Sequence, residues 1–166
     1  MVGLEFSTPG KVTINTGRVE IGQGVLTAIA QIAADELDVS LSRIIVHSGD
    51  TERAPNEGYT AGSMSMQFGG VALRQACADV RALFLDQAGK IIGCAPGELS
   101  IRDGSILRKG ASNGQDYWTL AGAIDLAVRA TGNGKPKAAA DFTTIGHSSQ
   151  QARSAGQDFR RCRLYP

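Results

Sequence analysis

Three cysteines in 166 residues, Cys77, Cys94 and Cys162, are too few for a disulfide framework, and they form no CxxC pair and no metal-ligand spacing. Cys77 is expected in the core, where free cysteines usually lie. The two histidines, His47 and His147, have no metal-ligand partner at usable spacing, and no Ser-His-Asp or Cys-His set stands out. Both are expected to be structural or solvent-facing. No run is long and apolar enough to span a bilayer, so no membrane partner is expected. The first residues, Met1 to Phe6, lack the basic start and apolar stretch of a secretory signal, which points to the cytoplasm. Net charge is only +1, so no bulk attraction to nucleic acid is implied. That balance is uneven: residues 151–166 hold four arginines against one aspartate, which leaves the rest mildly acidic.

What is present is a chain of length sufficient for one domain with a real core. Residues 10–16 alternate Val12 and Ile14 with polar neighbours and read as a strand. Val19 and Ile21 suggest a second short extended piece and a hairpin. Leu26, Ile29, Ala33 and Leu37 recur at spacing three or four, which predicts a helix over 24–38. Residues 44–48 are β-branched and short, a core strand. Residues 49–65 read as one long loop, a length that is usually functional inside a compact domain; Asp50 with Thr51 shapes a turn in it. A long helix is expected over 66–88 with Gly69, Leu73, Cys77, Val80 and Phe84 inward, Arg74 and Arg81 on a solvated face, and close backbone packing at Gly69-Gly70. Met64 and Met66 are read as core packing. Asp103-Gly104 is a hairpin turn between 99–102 and 105–108. A polar loop follows over 110–116. A third helix, anchored by Trp118, is expected over 117–130, with 131–134 ending it, a linker over 135–141 and a last strand over 142–146. The order predicts an α+β fold of two layers, a mixed or antiparallel sheet with helices packed on one face.

Two stretches could form one site. Gly22-Gln23-Gly24 sits at the start of the first helix, where glycines allow a ligand close to the backbone and the first N–H groups attract an anion. Residues 57–65 lead into the second long helix and offer the hydroxyls of Thr60, Ser63 and Ser65. Together they would cradle a phosphate or other polyanion. The plainer alternative is a tight turn and a Ser/Thr helix cap, and spacing alone favours it.

The run Arg18-Val19-Glu20-Ile21-Gly22-Gln23-Gly24, with Thr27, Gln31 to Ala33 and Glu36-Leu37, resembles the molybdopterin-binding part of the molybdenum hydroxylases, the xanthine dehydrogenase and aldehyde oxidase family. Gly49 to Thr51, Pro55, residues 60–65, Gly70 and Ala76 continue the likeness. The version at 57–63 is most similar to large (beta) subunits of the isoquinoline 1-oxidoreductase and nicotinate dehydrogenase kind. The likeness runs from about residue 10 to about 148, and is specific in its first half. It implies a molybdopterin-binding-like domain over 1–148. It also implies hydroxylation of N-heterocycles or aldehydes with oxygen from water. The implied cofactor is molybdopterin with molybdenum, usually as the cytosine dinucleotide in bacterial enzymes. Gly22, Gln23 and Gly24 would contact it from one side and Thr60, Ser63 and Ser65 from the other. Ala61 and Gly62 would lie nearest the metal.

The family's catalytic glutamate, in a Gly-rich motif near the end of a longer subunit, has no counterpart here. Glu20 and Glu57 are read as solvated or helix-capping carboxylates. The [2Fe–2S] clusters belong to a separate small subunit or domain, and three scattered cysteines cannot hold one. The chain is thus expected to be one lobe of a larger subunit, inactive alone and with or without bound cofactor. Its expected partners are the remainder of the large subunit and a small [2Fe–2S] subunit. A stand-alone binding module for a phosphate-bearing ligand and a dimerising remnant are the alternatives. One permitted back-translation of 150–166, read one base along, encodes Ser-Arg-Arg-Asp-Leu-Pro-Ala-Lys, the continuation that the likeness anticipates. Residues 149–166 are therefore expected to be an out-of-frame, unstructured tail, in preference to a basic tail for an acidic partner.

Overall fold

A computed structural model describes residues 3–6, 10–126 and 129–149. The elements are Gly3–Glu5 (β1), Val12–Thr16 (β2), Val25–Leu37 (α1), Ile44–Ser48 (β3), Val71–Ile92 (α2), Leu99–Arg102 (β4), Ser105–Arg108 (β5), Ala111–Asp116 (β6) and Tyr117–Ala121 (α3). They form two three-stranded sheets, ordered β1-β2-β3 and β4-β5-β6. The α+β class is as predicted, with the strands shared between two sheets.

β2 is the central strand of the first sheet, antiparallel to β1 and parallel to β3 in a register that runs from Val12 opposite Ile44 to Thr16 opposite Ser48. α1 is the crossover that parallel pairing requires. Because β2 is central, its polar residues are buried with its apolar ones, and Asn15 donates to Glu5 Oε1 at 2.6 Å. Val19 and Ile21 form no strand, so the hairpin expected there does not exist; both are exposed.

Leu26, Ile29, Ala33 and Leu37 are buried as the helical spacing requires, and join Val12, Ile14, Leu73, Cys77, Phe84, Leu99, Ile106 and Tyr117 in one core. Burial pushes the Cys77 thiol far up, so it stays protonated and inert. Phe6 meets Phe84 and Tyr117 edge-to-face, and the Phe84 and Tyr117 rings are tilted at 46°, with centroids 4.5–5.4 Å apart across the cluster. The buried Tyr117 hydroxyl donates to Leu37 O at 2.9 Å. Trp118 ties α3 to the first sheet through Lys11 O, at 2.9 Å.

Several boundaries differ from expectation. Residues 65–70 form a π-helical turn before α2. The close packing expected at its glycines is present: Gly69 faces Arg18, and Gly70 faces Ile32 and Met66. Residues 111–116 are a strand, not a loop; Lys109 and Gly110, both at positive φ, turn the chain back beside β5. α3 stops at Ala121, well short of 130.

Residues 142–146 are no strand either. The N–H groups of Thr143, Thr144 and Ile145 go to the buried Asp35 carboxylate at 2.7–3.2 Å, which leaves them unavailable to a sheet. Residues 131–134 do not end α3: Gly132 and Gly134 donate to Asp79 at 2.8 and 2.6 Å. Arg74 and Arg81 are not a solvated pair. They bond the fully buried Glu36 at 2.8 and 3.3 Å. Of the tail expected over 149–166, all but residue 149 lies outside the described residues.

Burial raises the Asp35 and Asp79 carboxyls, but the N–H and hydroxyl donors around them outweigh it and hold both below the ordinary aspartate value of 3.8. A depressed value in the fold means protons bind the unfolded chain more readily. The stability these groups contribute is complete above pH 3.8 and is lost as pH falls through the folded values. Urea unfolding followed from pH 6 to pH 3 should show the midpoint falling at the acid end, and Asp35→Asn should flatten that fall while lowering the midpoint at pH 6.

Candidate functional site

β2 and β3 run in the same direction and end opposite each other, so the segments that follow them leave the sheet at one edge. In open parallel sheets this carboxyl edge is where ligands bind. Residues 17–24 follow β2 and residues 49–64 follow β3.

The two segments are zipped together just beyond the sheet. Thr16 Oγ1 and Gly17 N donate to Glu57 Oε2 at 2.6 and 2.7 Å. Arg18 Nη1 donates to Tyr59 O at 2.6 Å, and Val19 N donates to Thr60 Oγ1 at 2.9 Å. Gly17 permits this approach, since a Cβ there would lie 2.4 Å from Pro55 O. Arg18 is buried with its Nε unpartnered, lying against Gly69. Glu57 is therefore neither solvated nor a helix cap; it anchors one loop on the other.

Beyond the zip, Gly22, Gln23, Ala61, Gly62 and Ser63 are exposed, with Gly24, Thr60 and Ser65 half-buried. Gly62 and Ser63 both sit at φ 59°. For Ser63 that left-handed conformation costs on the order of 1 kcal/mol, the kind of strain that gathers at functional loops. Neither the Ser63 nor the Ser65 hydroxyl bonds to another described residue. The Gln23 amide is partly committed: Oε1 accepts from Ile21 N at 2.6 Å and Nε2 donates to Val19 O at 3.0 Å, leaving one N–H.

The free N–H groups expected at the start of α1 are not free. Glu20 Oε1 accepts from Gly22 N and Gly24 N at 2.8 Å each, and Oε2 from Leu26 N at 3.3 Å. Desolvation raises its carboxyl, and these donors, with Val25 N, more than reverse that, so it is held below the usual range. Glu20 is thus the helix cap that its position allowed. An anion here would be held by the second loop and the Gln23 amide, not by the α1 amides.

Exposed apolar side chains lie within the two loops and just after the second. Tyr59 is 85% exposed and Ile21 76%, with Val19, Met66, Phe68 and Val71 beside them in sequence and also exposed. Met66 is therefore not core, contrary to expectation. Arg18 and Glu57 were legible as part of the motif, but nothing in their spacing marked them as the link between loops 41 residues apart. Among the described residues no cluster of His, Cys, Asp or Glu could hold a metal.

Glu57→Ala removes a charged acceptor from two donors and should cost about 2 kcal/mol in urea unfolding. Amide exchange across 57–65 should quicken more than across α1. Glu57→Gln, which keeps an acceptor oxygen, should recover part of both.

The chain matches the molybdopterin cofactor-binding domain family over residues 2–161. It is 35% identical over 156 residues to a nicotinate dehydrogenase subunit of Pseudomonas putida, covering 93% of this chain and 13% of that protein. It is 35% identical over 147 residues to the gamma subunit of the 6-hydroxypseudooxynicotine dehydrogenase complex of Paenarthrobacter nicotinovorans, covering 88% of this chain and 18% of that one. Quinoline 2-oxidoreductase from Pseudomonas putida 86 superimposes with a TM-score of 0.59 at 30% identity, over 72% of this chain and 15% of that one. The chain thus spans less than a fifth of the relatives it matches. With these motifs, this fold and a match over nearly its whole length, the chain belongs to the molybdopterin cofactor-binding domain family of the molybdenum hydroxylases.

Proposed function

We propose that this chain supplies one lobe of the cofactor cleft in the large subunit of a molybdopterin-dependent oxidoreductase that hydroxylates N-heterocycles or aldehydes with oxygen from water. The observation that carries this is the Val19–Thr60 bond, 2.9 Å, which sets the two glycine-bearing loops side by side at the carboxyl edge of a parallel strand pair. The donor set fits an anionic pterin: unengaged hydroxyls at Ser63 and Ser65, a spare amide N–H at Gln23, and the nearby Glu20 and Glu57 carboxylates already committed to backbone donors.

In this reading Gly22 and Gly24 shape the first loop, and Gln23 donates its remaining N–H to the cofactor. Ser63 and Ser65, with Thr60 at the base of their loop, hold it from the second. Ala61 and Gly62 leave space for substrate, since the Gly62 Cβ position meets nothing within 4 Å. The bound cofactor supplies the two-electron oxidation. Glu20 and Glu57 take no proton from substrate, because both carboxylates are spent on backbone donors. The general base therefore comes from the remainder of the large subunit.

Exposed apolar side chains on and beside these loops are of the kind that mark an interface, and we assign them to contact with that remainder. A small [2Fe–2S] subunit, the cytosine dinucleotide form of the cofactor and a cytoplasmic location belong to the same proposal. So does the division into a domain over 1–148 and an out-of-frame tail. A stand-alone module or a homodimeric remnant is less well supported, since the relatives are named as dehydrogenase subunits.

The test is a graft of residues 10–148 into the matching stretch of the Pseudomonas putida nicotinate dehydrogenase chain. The hybrid should carry molybdenum and pterin and release cytidine monophosphate on hydrolysis. Ser63→Ala with Ser65→Ala should lower its metal content severalfold without lowering its melting temperature. A folded hybrid without molybdenum, or a serine pair that changes nothing, counts against the assignment.

A further inference from the structure

Residues 131–147 lie on the face of α1 and α2 as a peptide lies in a groove. The helices read this segment through its main chain, from both sides of the hydrogen bond. Asp79 accepts from Gly132 N and Gly134 N, and Gln75 Nε2 donates to Gly134 O at 2.7 Å. Arg81 Nη2 donates to Lys135 O at 2.8 Å, and Arg74 Nη2 to Lys137 O. Glu36 accepts from Lys137 N at 3.1 Å, Asp35 from the three amides at 143–145, and Gln31 Nε2 donates to Thr144 O and His147 O at 2.9 Å.

Three positions add sequence selectivity. A Cβ on Gly134 would lie 2.4 Å from Asp79 N and 2.5 Å from Ala78 C, inside the backbone of α2, which cannot yield. Lys137 Nζ pairs with Asp38. Arg74 lies 5.2 Å from the centre of the Phe142 ring.

The reading groups also hold one another. Arg74 and Arg81 bond the Glu36 carboxylate, and Arg81 Nη1 bonds Glu36 O at 2.5 Å, so these three groups have partners on α1 and α2 besides the segment. Gly134 is the segment's one buried residue; Phe142 and Ile145 are half-buried, and most of the rest is exposed. A unit held by polar contacts over little apolar area opens locally, below the free energy of global unfolding.

We propose that the α1–α2 face is a peptide groove that takes an irregular segment, turned at 139–141, with glycine at one position and lysine three residues on, filled in cis by 131–147 and able to take the same segment from a second copy of the chain. This stands apart from the cofactor assignment.

The full chain tests it by hydrogen exchange and peptide binding. In Gly134→Ala, exchange within 131–147 should rise about tenfold or more while α1 and α2 keep wild-type rates. A fluorescent synthetic peptide of residues 131–147 should then bind this variant. Wild type should leave the peptide free, and the peptide carrying Gly134→Ala should bind neither. Asp35→Asn, which touches only the far end, should free 143–147 alone. Exchange in α1 and α2 that accelerates together with the segment would make the segment part of the cooperative core and overturn the proposal. So would unchanged exchange in both variants, or an opened Gly134→Ala chain that leaves the peptide unbound.

Discussion

The parallel, in-register pairing of β2 with β3 is the constraint on which the site depends. Five residue pairs fix the ends of the two strands opposite each other. Whatever follows Thr16 and whatever follows Ser48 must leave from the same edge, and each path must then return as a helix. Two loops distant in the chain are neighbours for that reason alone. The short zip from Thr16 to Val19 against Glu57 to Thr60 converts neighbourhood into a defined geometry.

Carboxylates do most of the holding. Glu20 closes the first loop over the start of α1, and Glu57 binds the second loop to the first. Glu36, Asp35 and Asp79 fasten the segment after α3. Each accepts N–H groups from irregular backbone that a sheet or helix would otherwise satisfy, as buried or half-buried amides require. Acidic residues that could have been reagents are consumed as anchors. The site that remains is neutral to donating, which suits an anionic guest and leaves proton transfer to groups elsewhere.

The elements with strong period were legible. Leu26, Ile29, Ala33 and Leu37 announced α1, and Leu73, Cys77 and Phe84 announced α2, because burial of one helical stripe imposes that spacing. Ile44 to Ser48 announced a strand through β-branching. The polar elements were not legible. Nothing in Ala-Ser-Asn-Gly-Gln-Asp favours a strand; β6 exists because a tight turn lays it along β5. Thr143 to Ile145 looked like a strand and is not one, because one aspartate on α1 takes its amides. Arg74 and Arg81 looked solvated because the burial of Glu36 depends on three segments meeting.

By itself the sequence determined the class of fold, the helices and strands with an apolar period, and the two glycine-bearing stretches that suit close approach by a ligand. These follow from interactions within a few residues, which a local pattern records. Only the tertiary structure decided that the two stretches meet, that Glu20 occupies the helix start, and that Arg18 and Glu57 join the loops. It alone laid residues 131–147 across both helices. Each of these rests on contacts between groups far apart in the chain, and no local spacing encodes which distant donor a carboxylate will find.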